Sequence, residues 1–524
     1  MTIQRSLLSY LWLDPLDLPT LTLLFTLIVF LPVYFSTKKK YFTPLEGIPG
    51  PTPDFLFGNL RHTLLKHGTM HKAWCAMKKE YGGIFQLFLG TNHIVFVTDI
   101  EAIRTILRQP EIYDNDKFFG KIFAPIVPNT LVAIKGEQWK RHHRILSPTM
   151  SPQRMKLCVP KVISTVDHLL SKWKNCASKK PYEVQRDFEL FSLEVLGDFA
   201  FGYQFNLVRG DDAMGQKEQD LMKAIHILFK DITRRMVTGD LLEKIVGRSS
   251  QIDWALNFID EIIEDVQKTY SDLTSSGKDE DSLEVLAAAK NVVALISNSR
   301  EQLSSKEVRD EMIGILFGYA TTAATLAWAM KFISRNPRVQ YKLREEIFEV
   351  IGTNGKPSYD DIQPGSMPYL DSLFKEIMRL TFTVNAFGRT VTQDTILNGM
   401  LIPQGTSVMV PTSVLHYNKD FWDNPDEIIP ERWLETNSES ENAKESRTCE
   451  AVRKGAYLPF GGGHRQCIGQ RLATLEIKIF LCMFFQKFNL EKLPQCYDTD
   501  RQSIKLAVRP RESYILIKEF DGEF

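Results

Sequence analysis

Ten consecutive residues near the C-terminal end join a soft ligand to a pliable backbone: Phe460, Gly461, Gly462, Gly463, His464, Arg465, Gln466, Cys467, Ile468 and Gly469. Thiolate binds soft and borderline metals strongly, and haem iron takes it axially. Glycines beside the sulfur let backbone approach a flat macrocycle and aim N–H groups at the ligand, because no Cβ intrudes. The following stretch, Gln470 to Ile477, has a helical pattern. Cys467 is therefore expected near a helix N-terminus, where the dipole and free N–H groups lower a thiol pKa. Without its neighbours, a single cysteine beside a turn is more often a buried structural residue. The glycines and Arg465 set this one apart.

Other segments must position that loop. Trp139 opens a basic stretch, Trp139-Lys140-Arg141-His142-His143-Arg144, readable on its own as the solvated face of a helix. Lys306 to Arg335 is an unbroken helical pattern of thirty residues behind a Ser304-to-Glu307 cap. Its middle, Ile315 to Ala324, is apolar or small on every side, so the helix should be buried. Thr321 and Thr322 put hydroxyls there, although mid-helix threonines commonly bond back to helix carbonyls. The amphipathic pattern Leu370 to Leu380 carries Glu376 and Arg379 at i, i+3, which in isolation is only a weak surface pair. Ile84–Leu89 and His93–Thr98 flank Gly90-Thr91-Asn92 as a hairpin, and Asn398-Gly399 and Gln404-Gly405 mark further turns.

The chain has 524 residues, 44% hydrophobic and 24% charged, a globular composition. Lysine plus arginine equals aspartate plus glutamate at 64 each, which gives no basic face for nucleic acid. Seven cysteines without a C-x-x-C pair leave at least one thiol over and suit a reduced, cytosol-facing compartment. Leu18 to Phe35 runs eighteen residues without a charge, at the short end of a bilayer span. Lys38, Lys39 and Lys40 follow it, placing the C-terminal side in the cytosol. A cleaved signal peptide fits less well, because its basic flank would precede the apolar run. A dense proline stretch, Pro44 to Pro53, then reads as a stiff spacer. Glu435 to Glu450 reads as a polar surface insertion and Thr274 to Ser282 as an exposed loop.

The spacing F-x-x-G-x-R-x-C-x-G resembles the haem-binding signature of the cytochrome P450 family, and the other segments fall in that family's order. The resemblance implies a mainly α fold with small β-sheets (α+β) and an N-terminal transmembrane helix. It divides the chain into a lumenal 1–17, an anchor 18–35, a linker 36–53 and a haem-thiolate domain 54–524. It also implies heme b with Cys467 as the axial metal ligand. Arg465, Trp139 and Arg389 would hold its propionates, Phe460 would pack by the thiolate, and Gly463 and Gly469 would shape the loop. Thr321 and Thr322 become the oxygen- and proton-handling pair, and Glu376, Arg379 and Arg432 of Pro430-Glu431-Arg432-Trp433 the cluster behind the cysteine.

Three positions depart from the family pattern. Its arginine four residues after the tryptophan is His143, with Arg144 one later, so either could face a propionate. Its acid before the threonine pair is Ala320, and its Pro-Pro is Phe382-Thr383. The implied activity is insertion of one oxygen atom from dioxygen into a lipophilic small molecule (a sterol, fatty acid, terpenoid or other specialised metabolite). NADPH–cytochrome P450 reductase would supply electrons at the endoplasmic reticulum membrane. Ala320 keeps open a haem-thiolate isomerase or dehydratase, and a non-enzymatic haem-binding protein is a further alternative.

Overall fold

The computed structural model describes residues 34–522 apart from 37, 40–41, 56, 177–179, 203–204, 210–214, 247–248, 276–291, 298–302, 435–446, 500 and 505–506. Of the 18–35 span only Tyr34 and Phe35 are among them, and most of the 274–282 and 435–450 tracts also lies outside. Long helices dominate: Pro152–Cys176, Gln185–Phe201, Gln216–Val246, Ser250–Ser275, Tyr319–Ser334 and Gln470–Lys487. Their apolar faces share one core, which includes Trp173, Phe188, Phe191 and Phe480. Among the described residues only Ser305–Ser334 is long and apolar enough to cross a membrane, and it is mostly buried, as a core helix is.

A five-stranded sheet lies to one side, in the order Ile84–Leu89, Asn92–Val97, Ser407–Val410, Phe387–Val391, Tyr113–Asn115. The first pair is the expected hairpin, closed between Leu89 and Asn92 with Gly90 at φ +61°. Its second strand runs parallel to Ser407–Val410, and the other neighbours are antiparallel. This sheet delivers Arg389 and, from its edge, Asp114. The proline-rich stretch is fastened to the same sheet. Gln86 accepts from the Leu45 N–H at 2.8 Å, its amide donates to the Leu45 and Ile48 carbonyls, and its backbone N–H donates to Pro49 O at 2.8 Å.

The central helix differs from its unbroken pattern. It begins with the expected cap: Ser304 Oγ accepts from Glu307 N–H, and Glu307 accepts from Ser304 N–H. It then splits into Ser305–Leu316 and Tyr319–Ser334. At the break Gly318 N–H donates to Ile315 O and Thr321 N–H to Gly318 O, both three residues back. Three-residue closures tighten the turn and shift the register of the ladder. Gly318 is exposed there inside an otherwise buried element. A hydropathy pattern carries no information on hydrogen-bond register, so the interruption could not be read from it.

Candidate active site

The cysteine loop is closed by two backbone bonds, Cys467 N–H to Phe460 O at 3.0 Å and Gln466 N–H to Gly463 O at 3.1 Å. Gly461 and Gly463 take φ of +72° and +69°, and a Cβ at Gly463 would crowd the Leu107 carbonyl. Both positions therefore require glycine. Gly469 caps the Gln470–Lys487 helix, so Cys467 stands at a helix N-terminus as expected.

The surroundings of the thiol do not favour the expected lowering of its pKa. Burial pushes the Cys467 thiol up, and the Gly469 and Gln470 N–H donors pull it back without reversing the sign. Its side chain has open surface while protein encloses it at longer range. Desolvation outweighs the helix terminus here, and a thiolate at this point needs a cationic partner, as a metal ion supplies. Cys467 is a free thiol, as are Cys75, Cys158, Cys449, Cys482 and Cys496.

Three sequence-predicted residues meet beside the loop. The Arg465 guanidinium lies 4.2 Å from the Trp139 ring centroid, and His143 stacks on the other residue of that pair, Trp139, at 4.7 Å. Arg465 donates to Asp114 Oδ1 at 2.6 Å and to the carbonyls of Ile134 at 3.0 Å and Leu131 at 3.3 Å. His464 adds an edge contact to Trp139 at 5.4 Å. Arg144, on the same Gly136–Leu146 helix, is exposed. Burial, then the charges of Arg465 and His464, push the His143 imidazole down, so it is neutral near pH 7.

Arg389 approaches from the sheet. It is 4% exposed, donates to the carbonyls of Gly388 at 2.7 Å and Gly462 at 2.9 Å, and has no carboxylate within hydrogen-bond range among the described residues. Burial first, then the charge of Arg465, push its pKa down to about 10. Arg389 and Arg465 each keep a buried Nε without a partner. Two desolvated cations with unused donors fit a group bearing carboxylates, as haem propionates do. The donor set also fits its iron, through one thiol on a glycine loop.

On the central helix Thr321 is half-buried, and its hydroxyl donates to Gly318 O at 2.9 Å. Thr322 is buried and turned into the protein. Ala320 packs on the main core. Phe317, at the break, meets Phe229 at 4.8 Å and Phe123 at 6.1 Å, an aromatic cluster within the main core.

The scaffold behind the cysteine is buried, unlike the surface pair that Glu376 and Arg379 suggest in isolation. Helix Pro368–Leu380 is enclosed on nearly every side. Glu376 accepts from Arg379 Nε and Nη2 at 2.9 Å each, Arg432 Nε at 3.1 Å, Trp433 Nε1 at 2.8 Å and Ile429 N–H at 3.0 Å. Arg379 passes this order on to the His416 and Pro425 carbonyls. Burial, then the charge of Arg379, push His416 down to about 3, so its neutral Nε2 accepts the Leu458 N–H at 3.0 Å. The chain enters the cysteine loop two residues later.

Sequence reasoning missed Asp114, His416, and Asp310 and Glu311 of the Ser305–Leu316 helix. His416 and Asp114 come from segments distant in sequence with no motif around them. Only the pairing of Tyr113–Asn115 with the Arg389 strand brings Asp114 into reach.

A thiol presented on a glycine loop between two buried arginines and a tryptophan defines a haem-thiolate site on a mainly helical fold. The family model for Cytochrome P450 matches residues 48–517. Cytochrome P450 3A11 of Mus musculus is 28% identical over 517 residues, 96% of each chain. Cytochrome P450 3A31 of Mesocricetus auratus is 28% identical over 92% of this chain and 93% of its own, and cytochrome P450 3A2 of Rattus norvegicus 27% over 96% and 97%. The chain belongs to the cytochrome P450 family. It is a haem-thiolate oxidoreductase of the monooxygenase type, with haem on a cysteine thiolate as its cofactor.

Proposed function

We propose that Cys467 is the axial ligand and that the chain inserts one oxygen atom from dioxygen into a lipophilic small molecule, with electrons from NADPH–cytochrome P450 reductase. The convergence of Arg465, Trp139 and Arg389 on the Cys467 loop carries this reading. When bound, haem supplies dioxygen activation and one-electron chemistry. The Gly469 and Gln470 N–H groups would stabilise the charge on Cys467 Sγ. Arg389 and Arg465 would neutralise the propionates, while Trp139 shields Arg465 from water.

Thr321 spends its hydroxyl proton on Gly318 O, which leaves oxygen lone pairs to accept from a proton donor. Ala320 offers none, so in this reading that donor is ordered water. The aromatic cluster of Phe123, Phe229 and Phe317 at the break in the central helix supports an apolar substrate. Lys135, exposed one turn before Trp139, supports an acidic electron-transfer partner. Residency at the endoplasmic reticulum membrane is supported by the uncharged 18–35 run and by the exposed cross-strand pair Ile396 and Leu401. That pair's hairpin shares a core cluster with Ile48 of the linker.

The test is the carbon monoxide difference spectrum of reduced membranes, wild type against Cys467→Ala, followed by turnover under heavy-isotope dioxygen. A red-shifted thiolate band lost in the variant, with one labelled atom in the product, is expected. The same band persisting in Cys467→Ala would sink the assignment.

A further inference from the structure

Arg465 is held by a strap, residues 129–136, and the strap is held in turn by acids that the mechanism above does not use. From the central helix, Asp310 Oδ2 accepts from Asn129 N–H at 3.0 Å and Nδ2 at 2.9 Å. One residue on, Glu311 Oε2 accepts from Leu131 N–H at 3.1 Å and the Thr130 hydroxyl at 3.3 Å. The peptide on the far side of Leu131 presents the carbonyl that Arg465 uses. On the other flank Asn115 donates to Val132 O and Ile134 O, and Asp114 Oδ2 accepts from Gly136 N–H. Close approach of strap and helix depends on Gly314, where a Cβ would collide with the Thr130 hydroxyl.

Glu311 is itself oriented. It is 2% exposed, and its other oxygen pairs with Nδ1 of the fully buried His142 at 2.6 Å, whose Nε2 lies 3.2 Å from Glu307 Oε1. A carboxylate pinned at both oxygens in a buried site holds its partners rigidly.

We infer that Glu311, fixed by His142, is a positioning residue for Arg465, acting through Leu131 to set the guanidinium that faces a haem propionate. This rests on the proposed role of Arg465. No other described acid reaches the Leu131 N–H, so truncating Glu311 removes the bond that fixes this peptide from the helix side, although Asp310, Asn115 and Asp114 still hold the strap on either flank.

The experiment compares full-length, haem-loaded wild type with Glu311→Ala, Glu311→Gln and Glu194→Ala. Glu194 is an equally buried acid paired with Lys161, away from the strap, and serves as the stability control. Two readouts are taken: haem transfer to apomyoglobin and amide hydrogen exchange across 129–136. Glu311→Ala should lose haem roughly tenfold faster and exchange faster in the strap. Glu311→Gln, which keeps an acceptor for Leu131, should recover most of both. The inference is overturned if Glu311→Ala loses haem no faster than Glu194→Ala, or if the strap loosens with haem loss unchanged. A wild-type chain that takes up no haem would overturn the functional reading as well, which separates the two failures.

Discussion

Replacing Glu476 with glutamine should flatten the dependence of this protein's stability on pH. Glu476 lies on the Gln470–Lys487 helix, 1% exposed, with the Ser192 hydroxyl donating to it at 2.8 Å. Burial pushes its carboxyl from the ordinary 4.5 up to about 8, and Ser192 offsets only part of that. The sign follows from linkage. A raised pKa means that the folded state keeps a proton the unfolded chain has released, so stability is full below about pH 4.5. It falls as pH rises, by about 1.4 kcal/mol per pH unit, and the loss is complete past pH 8. The whole window amounts to about 5 kcal/mol as an upper bound, against a total stability of about 5–15 kcal/mol. Glutamine keeps the shape and an acceptor for Ser192 but never ionises. Urea unfolding followed by tryptophan fluorescence at pH 5, 6.5 and 8 reads the difference between variant and wild type, which cancels the other titrating groups. Near-equal midpoints at pH 5 and a variant more stable by a few kcal/mol at pH 8 are expected. Parallel slopes, or a variant weaker at pH 8, would refute the reasoning.

Three further outcomes follow from the geometry. Glu376→Gln removes the buried counter-charge that Arg379 and Arg432 share, and should cost about 3–5 kcal/mol; haem-loaded yield and the thermal midpoint should both fall sharply. Arg389→Ala takes away a buried cation with an unused donor, and should weaken haem retention by about 1.5–3 kcal/mol, read by transfer to apomyoglobin. His143→Arg places a permanent cation where a neutral imidazole stacks on Trp139, and should slow haem loss by an equivalent of about 0.5–1 kcal/mol; a faster loss would mean that this edge of the site faces no anion.

The cysteine loop was legible because its function demands particular residue types at fixed offsets. Glycine is forced where φ is positive at Gly461 and Gly463, and Gly469 falls at the helix boundary. Local signals did equally well for the Ser304–Glu307 cap and the hairpin at Gly90, where neighbours in sequence do the work. Quantities set by the whole molecule were not legible. The thiol of Cys467 was expected low from its helix terminus and is held high by desolvation, a term that depends on everything packed around it. The i, i+3 pair of Glu376 and Arg379 has the same spacing on a surface or in a core, and only long-range packing decides between them. The break at Phe317–Gly318 turns on hydrogen-bond register within an apolar run whose composition is unchanged across it. Asp114 and Glu311 lie hundreds of residues from Arg465 or one loop removed from it, so no spacing rule could have connected them.

Gln86 has a mechanical consequence. Its side chain grasps the Leu45 and Ile48 peptides while its own backbone pairs with Pro49, which ties the entering chain to the edge strand of the sheet. Four hydrogen bonds meeting at one residue must therefore break before Leu45 to Pro49 can leave the sheet. The segment that enters the domain is thereby coupled to the same sheet that carries Arg389.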